Sequence, residues 1–141
     1  PGRWLVAKAG VSIYQIGTKK TTPNGLRIIG VNGGMSDNPR NALYQAKYSA
    51  VVNGKITEKK VFPSRIVGKF CESGDTLIEE IDLPETDRDD LLIIPVSGAY
   101  QLSMASNYNL APRPAVLWLE SVGNFELLQY RENPEESFWW A

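Results

Sequence analysis

Four short clusters in the chain hold residue types that a hydrophobic core does not need. Cys71-Glu72-Ser73-Gly74-Asp75 places the only thiol beside two carboxylates. With no histidine or adjacent cation to stabilise a thiolate, Cys71 is a poor nucleophile. A protonated thiol can instead donate a proton, and an ionised Glu72 or Asp75 next to it would favour the protonated form. The plainer reading is a buried cysteine at a strand end, followed by a Ser-Gly-Asp turn. In Gly33-Gly34-Met35-Ser36-Asp37-Asn38-Pro39-Arg40 a stiff loop carries the Arg40 guanidinium, whose fork suits a substrate carboxylate. Its plainer reading is a surface pair with Asp37 worth under about 1 kcal/mol. Arg3, beside Gly2, could bind the same kind of group or line a phosphate site, because glycine lets the backbone approach a ligand. Tyr44 would share a face with Arg40 if that segment is helical. Tyr100 heads a polar stretch opened by Gly98 and can offer its phenol to a phosphate or a carboxylate. Each of these residues also has an ordinary structural use.

Other chemistries are excluded by composition. The 141 residues contain no histidine, which removes Ser-His-Asp and Cys-His catalysis and imidazole metal sites from this chain. One cysteine permits neither an internal disulfide nor a CxxC metal pair, so no metal site is expected. A single thiol without a secretory leader fits a reducing, cytoplasmic setting. With 15 Lys+Arg against 16 Asp+Glu, the net charge of −1 gives no footprint for nucleic acid or an anionic membrane. The longest uncharged stretch, residues 91–112, carries Ser97, Gln101, Ser103, Ser106, Asn107 and Asn109 and is too polar to cross a bilayer. At 43% hydrophobic residues the chain can bury one modest core, in one domain. It opens at Pro1-Gly2-Arg3 without Met, which reads as a piece of a longer polypeptide.

The elements that must position these clusters are mostly strands. Short runs rich in Val, Ile, Leu and aromatics occur at residues 4–9, 11–16, 26–31, 49–52, 55–61, 66–70, 76–83, 91–96, 115–120 and 125–130. Asn53-Gly54 suits a two-residue type I′ hairpin, and Pro23-Asn24-Gly25 and Gly123-Asn124 are further turns. Pro63 within a strand-like run points to a bulge or an edge. Two polar segments, residues 33–48 and 97–114, interrupt the pattern; a helical turn is expected over residues 41–47, opened by Pro39 and capped by Asn38. The acidic run 85–90 reads as a solvated loop. The tail, residues 132–141, reads as a short helix whose Phe138, Trp139 and Trp140 must pack on something. Hairpin turns without βαβ alternation predict an all-β domain, a β-sandwich or Greek-key barrel with one or two short helical segments.

Together the four clusters resemble the C-terminal domain of the diaminopimelate decarboxylases, pyridoxal-phosphate enzymes that make lysine from meso-2,6-diaminopimelate. Pro1-Gly2-Arg3, the Gly33 to Arg40 run with Leu43-Tyr44, Cys71 to Asp75, Gly98-Ala99-Tyr100, and Ser103 to Asn109 followed by Arg113-Pro114 carry the resemblance. It implies an N-terminal (β/α)8 barrel, absent from this chain, that holds the lysine to which the cofactor attaches, and a homodimer whose site needs two chains. By the same resemblance, Gly2, Arg3 and Tyr100 contact the cofactor. Arg3, Arg40, Tyr44, Glu72 and Tyr100 contact the substrate, and Cys71 gives a proton across the dimer interface after CO2 leaves. The chain alone is then expected to be inactive. Asn32, Asn41 and Phe70 depart from the family's usual Asp, Pro and His. Relatives acting on ornithine, arginine or carboxynorspermidine are the nearest alternative, disfavoured because a diamino monoacid offers no second carboxylate to two arginines. A non-catalytic β module that dimerises or binds an anion is another, and a cysteine hydrolase, lacking a base, is remote.

Overall fold

Alternation makes the first long strand: in Ser12–Thr21 (β1), Tyr14 and Ile16 turn inward while Ile13 and Gln15 face out. In the computed structural model, which describes residues 1–136, β1 is followed by β2 (Arg27–Val31), β3 (Val51–Val52), β4 (Phe62–Val67), β5 (Thr76–Leu83) and β6 (Leu91–Ile94). These six form one sheet in the order β3-β6-β1-β2-β4-β5. Every neighbouring pair is antiparallel except β2 and β4, which run parallel. The sheet curls into a half-barrel, the form taken by the expected all-β architecture. Ile16, Ile29, Ile66, Leu77, Leu83, Leu92 and Ile94 fill its inner face, each fully buried side chain contributing roughly 1.5–3 kcal/mol. β7 (Val116–Ser121) and β8 (Asn124–Gln129) form a separate hairpin. Three short helices, α1 (Gly2–Val6), α2 (Arg40–Tyr44) and α3 (Gln101–Met104), occupy the ends and the two polar segments.

The turn at Pro23-Asn24-Gly25 is as expected. Thr22 N–H donates to Leu26 O at 2.8 Å, and Gly25 takes a φ of +85° that its missing Cβ allows. Four local expectations are corrected. Residues 4–9 are helical: the amide of Leu5 reaches Pro1 O, and Ala7–Ala9 continues as a 3-10 turn. Periodicity cannot separate so short an apolar run into helix or strand, and Trp4 is left 80% exposed. Residues 55–61 form no strand: Lys55 N–H bonds back to Val52 O across Asn53-Gly54, Glu58 N–H bonds back to Lys55 O, and only Gly54 of the Asn53-Gly54 pair has positive φ. The type I′ hairpin is therefore not made, and β3 pairs with β6 instead. Asn38 does not cap α2; it is buried and accepts from the Tyr48 hydroxyl. Pro63 lies just outside the β2 register, which begins at Ser64, and next to a bulge at Ser64/Ile66, so its missing donor costs no ladder bond there. The expected packing of Phe138, Trp139 and Trp140 lies outside the described residues. Among the described residues, no helix is long and apolar enough to cross a membrane.

Candidate functional site

Two glycines decide where Arg3 goes. Ser97 N–H donates to Gly10 O at 2.8 Å and Gly98 N–H to Ala7 O at 2.9 Å, clamping the end of α1 onto the loop that leads to Tyr100. A Cβ on Gly98 would stand 2.2 Å from Val6 O, so only glycine permits this approach. The clamp sets the Arg3 guanidinium 4.9 Å from the centroid of the Tyr100 ring. Tyr100 itself is held at φ +70°, a conformation that costs a non-glycine residue about 1–3 kcal/mol and recurs at functional sites. Gly98→Ala is expected to force α1 off the loop and cost about 1–3 kcal/mol, lowering the thermal midpoint by roughly 3–10 °C in a circular dichroism melt. Gly74→Ala, whose Cβ would meet nothing within 4 Å, is the control that should not.

Arg3 also lines a cleft of about 380 Å³ with Arg40, Lys47, Tyr48, Pro95 and Val96. Arg40 reaches it because Pro39 starts α2 and Gln45, at φ 52°, ends it; the Asn41 side chain ties the helix to β5 by donating to Thr76 O at 2.7 Å. Among the described residues no carboxylate lines the cleft, and Arg3, Arg40 and Lys47 make no ion pair. The Arg40 Nε is buried without a hydrogen-bond partner. Three cations and an orphaned buried donor suit an anionic ligand, because burial leaves such a donor costly until an acceptor arrives. Tyr44 has the expected spacing from Arg40 but is 62% exposed and does not line the cleft. A second cleft, of about 330 Å³ beside Gly17, Gly30 and Lys69, contains none of the candidate site residues.

The loop before Arg40 is stiffened by two carboxylates, Asp37 half-buried and Asp75 buried. Asp37 does not pair with Arg40: its carboxylate accepts from the Tyr14 hydroxyl at 2.6 Å and from Gly34 N–H at 2.9 Å. Burial raises the Asp37 carboxyl above its ordinary range against those two hydrogen bonds, and burial beside Asp37 pushes the Tyr14 phenol well up. Asp75, considered above as a neighbour of the thiol, turns inward instead. It accepts from Met35 N–H at 2.7 Å through Oδ1 and from Phe70 N–H at 2.8 Å through Oδ2, so one carboxylate joins the Arg40 loop to the Cys71 loop.

Cys71 is exposed, and the buried-cysteine reading falls. Glu72, also exposed, accepts a hydrogen bond from the Tyr108 hydroxyl, and Tyr108 stacks edge-on against Phe70 at 5.5 Å between centroids. The structure thus brings the sequence-predicted residues into two groups. Arg3 and Arg40 line the cleft, with the Tyr100 ring against the Arg3 guanidinium; Gly2 heads the helix that carries Arg3, and Cys71 and Glu72 stand with Tyr108. No hydrogen bond, ion pair or ring contact among the described residues joins the thiol to the cleft.

Residues 4–98 match the family model described as the C-terminal sheet domain of pyridoxal-dependent decarboxylases. The chain belongs to this family. It is 48% identical over 136 residues to the diaminopimelate decarboxylase of Bacillus subtilis, covering 96% of this chain and 31% of that protein. To the enzyme of the same name from Bacillus methanolicus it is 52% identical over 121 residues, 86% of this chain and 28% of that one. A crystal structure of the Helicobacter pylori diaminopimelate decarboxylase complexed with L-lysine superposes with a TM-score of 0.83 at 37% identity, covering 94% of this chain and 32% of that one. The sheet domain therefore spans about a third of the length of the relatives it matches. Pyridoxal phosphate, named by the family, carries a phosphate, and the unpaired cations around the cleft fit an anion of that kind. The sequence carries no local signal for Lys47 at the cleft, for the inward role of Asp75, for Gly98 as a clamp, or for the pairing of Tyr108 with Glu72. The one available signal was the crowding of glycines, Gly33, Gly34 and Gly68, that now surround Tyr14 and Asp75.

Proposed function

We propose that this sheet domain belongs to a diaminopimelate decarboxylase, which converts meso-2,6-diaminopimelate to L-lysine and CO2. The observation that carries the reading is the cleft in which Arg3 and Arg40 stand together with no carboxylate opposite. A diamino diacid has one carboxylate to lose and one to keep, and two guanidiniums supply an anchor for the one that is kept. The rest of the parent is read as an N-terminal (β/α)8 barrel that carries the cofactor's lysine. The parent is a cytoplasmic homodimer in which the thiol of one chain serves the cleft of the other.

When bound, pyridoxal phosphate acts as the electron sink for the bond to the departing carboxylate. Gly2, Arg3 and Tyr100 would hold that cofactor. Arg3 and Arg40, with Tyr44, Glu72 and Tyr100, would orient the substrate, and orientation supplies much of the rate in such reactions. Cys71 Sγ would give up its proton to the carbon that CO2 has left, and the thiolate would regain one from solvent. In the full-length parent, lysine should form from meso-diaminopimelate, with L-ornithine and L-arginine untouched. Turnover of either would move the assignment to a sister decarboxylase. The 141-residue chain alone is expected to release no lysine, and lysine formation by it would refute the need for the barrel.

A further inference from the structure

Tyr108 has no part in the reading so far, yet it makes two specific contacts with the Cys71 loop. Its ring meets Phe70, the residue before the thiol, at 80° and 5.5 Å, and its hydroxyl donates to Glu72 Oε1 on the other side of that thiol. The tyrosine is itself fixed from below: Ser106 N–H donates to Ser36 O at 2.8 Å, and the Asn107 amide donates to Ala111 O at 3.1 Å, closing the turn that presents residue 108. Glu72 has no cation in contact with it among the described residues. A flexible, exposed carboxylate with one partner takes its direction from that partner.

We propose that Tyr108 is a positioning residue that holds the Glu72 carboxylate in place beside the Cys71 thiol and so aims that carboxylate at the substrate. The ring fixes the phenol's location through Phe70 and the hydroxyl fixes the carboxylate. The hydrogen bond to Glu72, then burial, then the charge of Glu72 raise the Tyr108 phenol above its ordinary value, so it remains a donor through the neutral and mildly alkaline range. The proposal rests on the reading of Glu72 as a substrate contact and of Cys71 as the proton donor.

The test is a double-mutant cycle on Tyr108→Phe, which keeps the ring against Phe70 and removes only the hydroxyl, and Glu72→Gln. In the full-length enzyme, Tyr108→Phe should raise KM for meso-diaminopimelate about five-fold with kcat changed less than about two-fold, and should add nothing in the Glu72→Gln background. A second readout needs no turnover. Cys71 is the only cysteine of the 141-residue chain, so its alkylation by neutral iodoacetamide and anionic iodoacetate can be compared directly. A carboxylate held at the thiol repels the anionic reagent. Tyr108→Phe should cut the preference for iodoacetamide by about three-fold, Glu72→Gln should cut it at least as far, and the double variant should match Glu72→Gln. Equal added losses from Tyr108→Phe in both backgrounds, or no loss in either assay, would overturn the positioning role while leaving Glu72 as a substrate contact. An unchanged KM in Glu72→Gln would overturn the substrate contact and this proposal with it.

Discussion

Asp75→Asn should destabilise the domain by about 2–4 kcal/mol, the largest effect on stability expected from an isosteric change at any site residue. The side chain is 3% exposed, and both its oxygens are committed, one to Met35 N–H and one to Phe70 N–H. An amide can accept only one of these bonds; its NH2 group would face the other N–H, donor against donor. Relaxation is blocked, because the carboxylate already fills the space that a Cβ on Gly34 or Gly68 would need, at 2.6 and 2.2 Å. Urea unfolding followed by tryptophan fluorescence should show the midpoint falling at constant slope. An unchanged midpoint would mean that the two loops hold each other without the carboxylate. Because Arg40 and Cys71 lie on those loops, the variant should also weaken substrate binding in the parent enzyme.

Cys71→Ala should leave stability within about 0.5 kcal/mol, since the thiol is exposed and its loss opens no cavity. In the full-length parent it should slow lysine formation by about 10²–10⁴-fold, the usual contribution of a positioned acid. Cofactor absorbance should be retained, because the thiol stands apart from the cleft. The split between intact cofactor binding and slowed turnover distinguishes a proton donor from a residue that merely shapes the site. Turnover equal to wild type would remove Cys71 from the chemistry.

What could be read in the sequence follows from how local each signal is. β2, β5, β7 and β8 are runs rich in Val, Ile, Leu and aromatic residues, and their bounds fall within a residue of expectation. The turn at Pro23-Asn24-Gly25 encodes its own backbone geometry. By contrast α1 is helical because it docks through Gly10 and Gly98, residues about ninety positions apart in the chain, and no window over residues 4–9 contains that contact. Asp75 was legible as a carboxylate near the thiol but not as one turned inward, since its two N–H partners come from different loops. Arg3, Arg40 and Tyr100 could be singled out by type; that they share one corner of the fold is a property of the sheet.

The parallel pairing of β2 with β4 has a kinetic consequence. Hairpins can assemble β1 with β2 and β4 with β5 from near neighbours, but the two halves join only when the stretch between Val31 and Phe62, bearing Arg40 and Lys47, has closed into a loop. Loop-closure entropy must be met before that contact rewards it, and such non-local pairings slow folding. Arg40 and Lys47 reach the cleft on the same loop whose closure brings β4 against β2. An anion held by the cleft would therefore stabilise the closed loop, and through it the contact between the two halves of the sheet.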